Sequence, residues 1–497
     1  MPNRMLLLGF FIALHKGDIM EEFILNIVAT ANKYLSDYIL IILLIGIGLF
    51  YSIKTRFVQV RYFGEGMKRV FGGAKLKGKK NKGGMSSFQA FTTAVAAQVG
   101  TGNIIGACGA ILVGGPGAIF WMWIIAFLGM ATIYAEAVLA QKTRVVENDG
   151  SISGGPVYYI KKAFSGGFGK FLAIFFAVAT IIALGFIGSM VQSNSISEAV
   201  NNATGIPTWV IGAILVVIAG FVFIGGISRL ASVTEKLVPI MAILYLLGGL
   251  IVIVTRIAYL PEAFAMIFKF AFNPSAIIGG GIGYALKTAI SQGAKRGLFS
   301  NEAGMGSTPH AHAQANVKNP HEQGVIAMTG VFMDTFVVLT MTALIVITTL
   351  YAGGGVLANG SASGIDKTNM VNHAIASIFT NASVGLKIGS IFVAVCLTFF
   401  AFSTIISWNM FGKINFEYLF GKKGTIIYSI LALAFVFLGS ILKNDLVWEL
   451  TDFFNYLMVL PNALALFTLS KMVVGEIKNR DNAKKGVLPL AENKENK

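Results

Sequence analysis

Four residues in the middle of an apolar stretch, Gly100-Thr101-Gly102-Asn103 within AAQVGTGNIIGACGAIL (96–112), are poor choices for a regular helix. Each glycine costs about 1 kcal/mol in a helix relative to alanine, and asparagine competes with the backbone for hydrogen bonds. A helix broken there frees backbone N–H and C=O groups, which are expensive to leave unpaired in an apolar medium. A bound ligand can satisfy them. Amides at the start of a half-helix suit a carboxylate. Freed carbonyls suit a small hard cation that takes several oxygen ligands. Glycine allows the close approach this needs, and Asn103 adds a side-chain carbonyl. These residue types therefore point to a site for an anion–cation pair, with close helix packing through small residues as the competing explanation.

Ionisable residues in apolar surroundings are the next candidates, because burying them is costly. Asp334, in FMDTF, fits either structural pairing or coupling-ion binding. Glu302, six residues after Arg296 in KRGLFSNEAG, is expected to pair with it as a structural or gating contact near the cytoplasm. Glu136, near the inner end of its span, is expected to snorkel or pair. His310 and His312 in STPHAHAQA stand at i and i+2, do not share a helix face, and have no third ligand nearby, so no metal site is expected. The aromatic run FWMW (120–123) reads as packing or interfacial. No glycine pattern has a strand–turn–helix context and no Walker lysine motif is present, so nucleotide-driven chemistry finds no support. Nor does any His/Asp/Glu cluster suit catalysis. The expectation is neither an enzyme nor a cofactor protein.

The elements that must position these residues follow from composition. The chain of 497 residues is 55% hydrophobic and 12% charged, half the charge of a soluble domain, and its mean hydropathy is +0.73. Its apolar runs are continuous rather than alternating, which selects helices over a barrel. The expected fold is all-α and multi-spanning, with eleven membrane segments near 37–54, 86–112, 116–141, 168–198, 207–226, 234–256, 274–300, 323–351, 385–410, 424–442 and 445–473. The net charge of +16 does not mark a nucleic-acid binder. Ten Lys/Arg against the single acid Glu65 lie in 54–82, between two spans, as expected of a cytoplasmic loop. Lys142, Arg144 and Lys161, Arg229 and Lys236, Lys318 (with Lys295 and Arg296 just before it), Lys413, Lys422 and Lys423 mark the other inner connections. A basic tail (Lys478, Arg480, Lys484, Lys485) then puts the C-terminus inside and the N-terminus outside a cell membrane. Cys108 and Cys396 lie in apolar spans and are expected to be free thiols. Residues 1–19 hold an apolar run too short to span and receive no functional weight.

Setting the first span aside leaves ten, divisible five and five. The chain then reads as an N-terminal segment (1–36), an extra helix with its basic loop (37–85), two five-helix repeats (86–256 and 257–473) and a cytoplasmic tail (474–497). The opening span of the second half, AIIGGGIGYALKTAISQGAKRGLFSNEAGMGS, is again dense in glycine and polar residues. Interruptions at corresponding places in two halves are the signature of an inverted-repeat secondary transporter with broken helices. No residue-level repeat accompanies this symmetry.

Five stretches carry a resemblance to a known family: SSFQAFTTAVAAQVGTGNI, GGPGAIFWMWIIAFLGMATIYAEA, SGGPVYYI, RGLFSNEAGMGS, and AFSTIISW with FEYLFG. Together they resemble the alanine-or-glycine:cation symporters, whose fold is similar to that of the bacterial leucine transporter. The resemblance implies ten core helices in a five-plus-five inverted repeat, the first and sixth broken, and Na⁺-coupled uptake of alanine or glycine across the cell membrane. A proton-coupled permease of the same fold and, from another class, a passive channel remain as alternatives. It further implies a sodium site made by backbone at Ala96 and Val99, the Phe400 carbonyl, and the hydroxyls of Ser403 and Thr404. The substrate carboxylate would meet the amides of Gly100, Thr101 and Gly102 beside Asn103. Gln192 looks like a substrate-contacting amide, and Trp408 like the aromatic that limits substrate size. Ser291, Gln292 and Gly293 would sit at mid-membrane in the sixth core helix. The sequence departs from the family after Trp408, where Asn409-Met410-Phe411-Gly412-Lys413 replaces a Tyr-Tyr-Gly-Glu type run. That departure bears on a cytoplasmic gate contact, not on the sodium site.

Overall fold

The computed structural model describes residues 22–72, 84–273, 282–360, 362–442 and 445–484. Residues 1–19, the stretch 73–82 with five of the ten Lys/Arg of the basic loop, and Lys485 therefore lie outside the described residues. The long helices are α1 (Glu22–Lys54), the bent pair α2 (Ser87–Gln98) and α3 (Gly102–Gly114), α4 (Ala118–Thr143), α5 (Gly166–Thr204), α6 (Thr208–Ile224) and α7 (Gly226–Thr255). The second half holds α8 (Ile282–Asn301) and the short α9 (Pro309–Ala313), then α10 (Pro320–Tyr351), α11 (Ala382–Phe420), α12 (Lys422–Ile441) and α13 (Asp445–Thr468). The chain closes with α14 (Ser470–Lys484).

Ten of the eleven apolar runs fall on one of these helices or on the bent pair, and of the run 274–300 the part from 282 falls on α8 while 274–281 lies outside the described residues. Among the described residues, eight helices are long and apolar enough to cross a bilayer, and the bent pair makes a ninth. α6 has 17 residues. α8 has 20 but carries Lys287, Lys295 and Arg296. The only strands among the described residues are two-residue bridges: Met85–Ser86 beside Ala315–Asn316, and Val145–Val146 against Ile152–Ser153. The first ties the start of α2 to the segment before α10.

Local chemistry explains the boundaries that matter here. α2 opens on a reciprocal cap, in which Ser86 accepts from the Gln89 amide and Gln89 bonds back to the Ser86 N–H. α10 opens with Pro320 behind Asn319, whose side chain accepts from the Glu322 amide. α6, α7 and α12 expose large apolar side chains such as Phe221, Leu247 and Ile430. Such a surface is stable against lipid and not against water. By contrast, ten of the twelve α2 residues are buried, so the broken helix sits inside the bundle. The FWMW run is packing: Phe120, Trp121 and Trp123 meet Phe264, Phe268 and Phe272 of the helix Leu260–Phe272. Cys108 and Cys396 are free and buried.

One end of the bundle is laced by charge. Glu65 pairs with Arg69 (3.1 Å) and with Arg480 of α14 (2.9 Å), and Arg69 also reaches Glu322 at the start of α10 (3.3 Å). Arg61 meets Asp481 at 2.7 Å and Lys142 meets Glu476 at 2.7 Å. Burial raises the Glu65 carboxyl, but neighbouring His321 and the Arg480 guanidinium outweigh it and hold the group well below the usual carboxylate range. Lys295 and Arg296 are not at this end, although the sequence grouped them with Lys318. Lys295 meets Asp452 at 2.9 Å and Arg296 meets it at 3.4 Å, near the start of α13. The reason is the second helix break, which lies after both residues and before Lys318.

Candidate binding site at two helix breaks

α2 closes at Gln98, Val99 leaves the helical region with ψ 90°, and α3 begins at Gly102. The two halves meet at a bend of 48°. The freed amides have side-chain partners: the Gly100 N–H donates to Asn103 Oδ1 (3.0 Å) and the Thr101 N–H to Gln192 Oε1 of α5 (3.2 Å). Thr101 and Asn103 are fully buried. The Thr101 hydroxyl is buried with no hydrogen-bond partner among the described residues. Only glycine fits at 100, since a Cβ there would stand 2.5 Å from Thr404 Oγ1 and 3.2 Å from Gln192 Oε1.

On the other side of the break, α11 brings two adjacent hydroxyls to the end of α2. Ser403 Oγ donates to the Ala96 carbonyl (3.2 Å) and to that of Phe400 (2.8 Å). Thr404 Oγ1 donates to the same two carbonyls, at 2.9 and 3.1 Å. Two hydroxyl and two carbonyl oxygens thus crowd one buried point between α2 and α11. The Val99 N–H turns back to Val95 (2.7 Å) as the cap of α2. Hydroxyl protons rotate freely, so this oxygen set can turn its lone pairs toward a hard cation.

The second break lies at 302–308, between α8 and α9. Glu302, Gly304 and Gly306 there have φ of 58°, 92° and 84°. α8 runs unbroken through Ser291, Gln292 and Gly293, and the structure does not bring these three to either break. Ser291 donates to Asp37 of α1 (2.5 Å), and Gly293 lets Trp121 of α4 pack against α8. Gly102 faces α8 as well, since a Cβ on it would lie 3.0 Å from Phe299. The two breaks are joined directly, because Gln98 Nε2 donates to the Asn301 carbonyl (2.7 Å).

Three buried carboxylates serve these breaks, and none among them forms an ion pair among the described residues. Glu302 does not meet Arg296. Its Oε1 accepts the Trp408 indole N–H (2.5 Å) and its Oε2 the Ser307 hydroxyl. The left-handed turn at Glu302 and the pull of Asp452 on Arg296 separate the expected pair. Glu136 does not snorkel: it is fully buried and accepts Asn462 Nδ2 (2.6 Å) and the freed Gly304 N–H (3.2 Å). Asp334 accepts Asn103 Nδ2 (2.6 Å), the Ser300 hydroxyl (2.9 and 3.0 Å) and the Thr335 hydroxyl (2.9 Å). It thereby binds α3, α8 and α10 together.

The histidines look different ways. His310 lies between the Ser307 carbonyl (2.6 Å) and Asn415 (2.8 Å), while His312 meets Gln323 (2.9 Å). Among the described residues no group of three His, Cys, Asp or Glu is placed to hold a metal ion. Sequence reasoning missed Gln98, Ser300 and Asn462. Gln98 and Ser300 are ordinary polar residues whose only signal is nearness to a glycine-rich break, and Asn462, in an apolar run after Pro461, carries no signal beyond being polar there.

Comparison with known proteins bears on this arrangement. Solved structures share the fold at low identity. MhsT in complex with L-phenylalanine aligns with a TM-score of 0.54 at 13% identity, over 80% of this chain and 98% of that one. A manganese transporter of Eremococcus coleocola aligns at 0.51 and 15%, over 78% of each. Sequence relatives are much nearer. The sodium/alanine symporter AgcS of Methanococcus maripaludis is 40% identical over 91% of this chain and 96% of its own. A putative sodium/proton-dependent alanine carrier, YrbD of Bacillus subtilis, is 39% identical over 94% of each. A probable sodium/glutamine symporter of the same organism, GlnT, is 38% identical over 94% and 92%. The model of the sodium:alanine symporter family matches residues 21–492. With nearly the whole chain covered, the protein belongs to the sodium:alanine symporter family of membrane transporters.

Proposed function

We propose that this transporter carries a small neutral amino acid, alanine or glycine, into the cell together with Na⁺. The observation that carries the reading is the convergence of Ser403 and Thr404 with the Ala96 and Phe400 carbonyls, next to the freed amides of Gly100 and Thr101. The oxygen cluster takes the sodium ion. The amino acid's carboxylate takes the amides of Gly100 to Gly102, displacing the neutral side-chain oxygens of Asn103 and Gln192. That exchange replaces neutral hydrogen bonds with charge-assisted ones. Coupling follows from electrostatics. Burying either ion alone carries a desolvation cost of several kcal/mol, which the neighbouring opposite charge offsets. Trp408, one turn beyond Thr404, closes the pocket and limits side-chain size.

The charged end formed by 54–71, the end of α4, the start of α10 and α14 is the cytoplasmic side. This puts the N-terminus outside a plasma membrane and the C-terminus inside, and residues 86–256 and 257–473 are the two five-helix repeats. A proton-coupled mechanism is the second reading. It is favoured by Glu302 and Asp334, which are buried among neutral donors. Uptake of labelled alanine and glycine into proteoliposomes separates the readings. Concentrative uptake that needs an inward sodium gradient, fails with choline and survives a protonophore supports sodium symport. Collapse with the protonophore alone supports proton coupling, and uptake that never exceeds equilibrium identifies a channel.

A further inference from the structure

We propose that Glu302 is a positioning residue that fixes the Trp408 indole and so sets the largest side chain the transporter admits. This rests on reading Trp408 as the wall of the pocket. Glu302 is the first residue of the second break, fully buried, in a backbone conformation that side chains rarely adopt (φ 58°). Such a conformation persists where surrounding contacts over-determine it, and it marks sites where geometry serves function. Both carboxylate oxygens are committed: Oε1 to the Trp408 N–H at 2.5 Å, Oε2 to Ser307 five residues on. The Ser307 contact is local and clamps the turn. The Trp408 contact joins this turn to α11, the helix of Ser403 and Thr404.

The indole is held on its other sides by packing. Gly188 of α5 lies so close that a Cβ would stand 2.6 Å from Trp408 Cζ3. Phe299 of α8 meets the ring edge-on at 6.1 Å between centroids. Gly188 precedes Gln192 by one helical turn, and Gln192 caps the Thr101 amide. The ring therefore sits one turn along α5 from the groups proposed to hold the carboxylate. The close contact with Gly188 and the edge-on contact with Phe299 are both apolar and non-directional. Among the described residues the bond to Glu302 is the one directional restraint on the ring. Without it the ring keeps only non-directional contacts and can turn to another rotamer, opening space for a larger side chain.

The test compares uptake of leucine and alanine by the full-length protein in proteoliposomes for Glu302→Ala, Glu302→Gln, Trp408→Phe and the double variant Glu302→Ala/Trp408→Phe. The readout is the leucine-to-alanine ratio of kcat/KM. Glu302→Ala and Trp408→Phe should each raise it about tenfold, the lower range for losing a hydrogen bond to a charged group. Glu302→Gln keeps an acceptor oxygen and should hold the ratio within about threefold, since neutral bonds are worth less. The double variant should match Trp408→Phe alone, because without the indole N–H Glu302 has no bond to the ring left to lose. A purely structural role lowers both substrates equally and leaves the ratio unmoved, which overturns the proposal. An additive double variant overturns it too. If Glu302→Ala does not reach the membrane, Trp408→Phe decides alone: an unchanged ratio with intact alanine uptake refutes the proposal. Absence of amino-acid uptake by the unsubstituted protein would instead condemn the reading of the pocket itself.

Discussion

Adding one methyl group at Gly100 tests the cation site most directly. In Gly100→Ala the new Cβ would stand 2.5 Å from Thr404 Oγ1 and 3.2 Å from Gln192 Oε1. Contact distances below 3 Å do not survive, so one partner must move. Gly100 does not have a positive φ, so alanine is tolerated by the backbone and the strain falls on the side chains. Gln192 can swing away. Thr404 cannot move cheaply, because its β-branched side chain is stiff in a helix and its hydroxyl holds Ala96 at 2.9 Å and Phe400 at 3.1 Å. Overpacking of this kind costs about 1–3 kcal/mol. If the hydroxyl is a sodium ligand, displacing it removes about 1.5–3 kcal/mol of ion binding. That corresponds to a roughly ten- to 150-fold rise in the sodium concentration for half-maximal uptake, since each 1.4 kcal/mol is a factor of ten. The assay is alanine uptake against external sodium, alongside thermal stability in detergent with and without roughly 100 mM sodium, on the order of a hundred times a millimolar Kd. Gly102→Ala is the internal control. Its methyl meets Phe299 and the backbone of Ser300 at 3.0 and 3.2 Å and not the hydroxyl cluster, so it should reduce uptake and stability while leaving intact the sodium-dependent thermal shift measured without amino acid. A Gly100→Ala protein with an unaltered sodium titration and an intact sodium-dependent thermal shift would show that the cluster of Ser403, Thr404 and Ala96 only packs helices.

Other outcomes follow from the same geometry. Thr404→Ala removes the hydroxyl without crowding and should raise the sodium requirement about ten- to a hundredfold, read from sodium titrations of uptake. Asp334→Asn sets an amide N–H₂ against the donors of Asn103 or Ser300, and should lower stability by about 1–3 kcal/mol in thermal unfolding while leaving the sodium titration unchanged; a shifted titration would make Asp334 an ion ligand. Glu65→Gln should loosen α14 and cost about 1 kcal/mol at pH 7. Because the folded carboxyl is held low, its contribution is present above the ordinary glutamate value of about 4.3 and fades as pH falls below it. The stability gap between Glu65→Gln and the unsubstituted protein should therefore shrink in melts run below about pH 4 and stay constant between about pH 6 and 8.

Much of this was legible in the sequence because the membrane imposes strong rules. Continuous apolar runs read as helices since no other lone element satisfies its backbone in lipid. The first break was legible because VGTGN interrupts an otherwise clean run. The second break was harder. Its span is dilute throughout, with glycines from 279 to 306, so hydropathy marks the region but not the residue. Counting inward from an assumed surface placed mid-membrane at 291–293, whereas α8 continues to Asn301. The polar partners escaped for a different reason. Gln192 could be singled out as polar within an apolar run, but Gln98, Ser300 and Asn462 owe their roles to which helices touch.

Glu136, Glu302 and Asp334 show where the expectation of ion pairing fails and why. A charge in lipid was expected to find an opposite charge or the surface. Here each carboxylate is instead surrounded by neutral donors drawn from different segments: Asn462 and Gly304 for Glu136, Trp408 and Ser307 for Glu302, Asn103, Ser300 and Thr335 for Asp334. The helix breaks create this arrangement. A break leaves N–H groups such as that of Gly304 without a helical acceptor, and a buried carboxylate offers more acceptor sites than any neutral side chain. The breaks need acceptors and the carboxylates need donors, so each burial makes the other tolerable. Bonds from neutral donors to a carboxylate are individually worth about 1.5–3 kcal/mol, against about 3–5 kcal/mol for breaking a buried ion pair. Segments joined this way are held firmly by the sum of their contacts and released in small steps. A carrier whose broken helices must rearrange around a bound ion and substrate gains from that graded hold, and buried ion pairs at the same points would resist it.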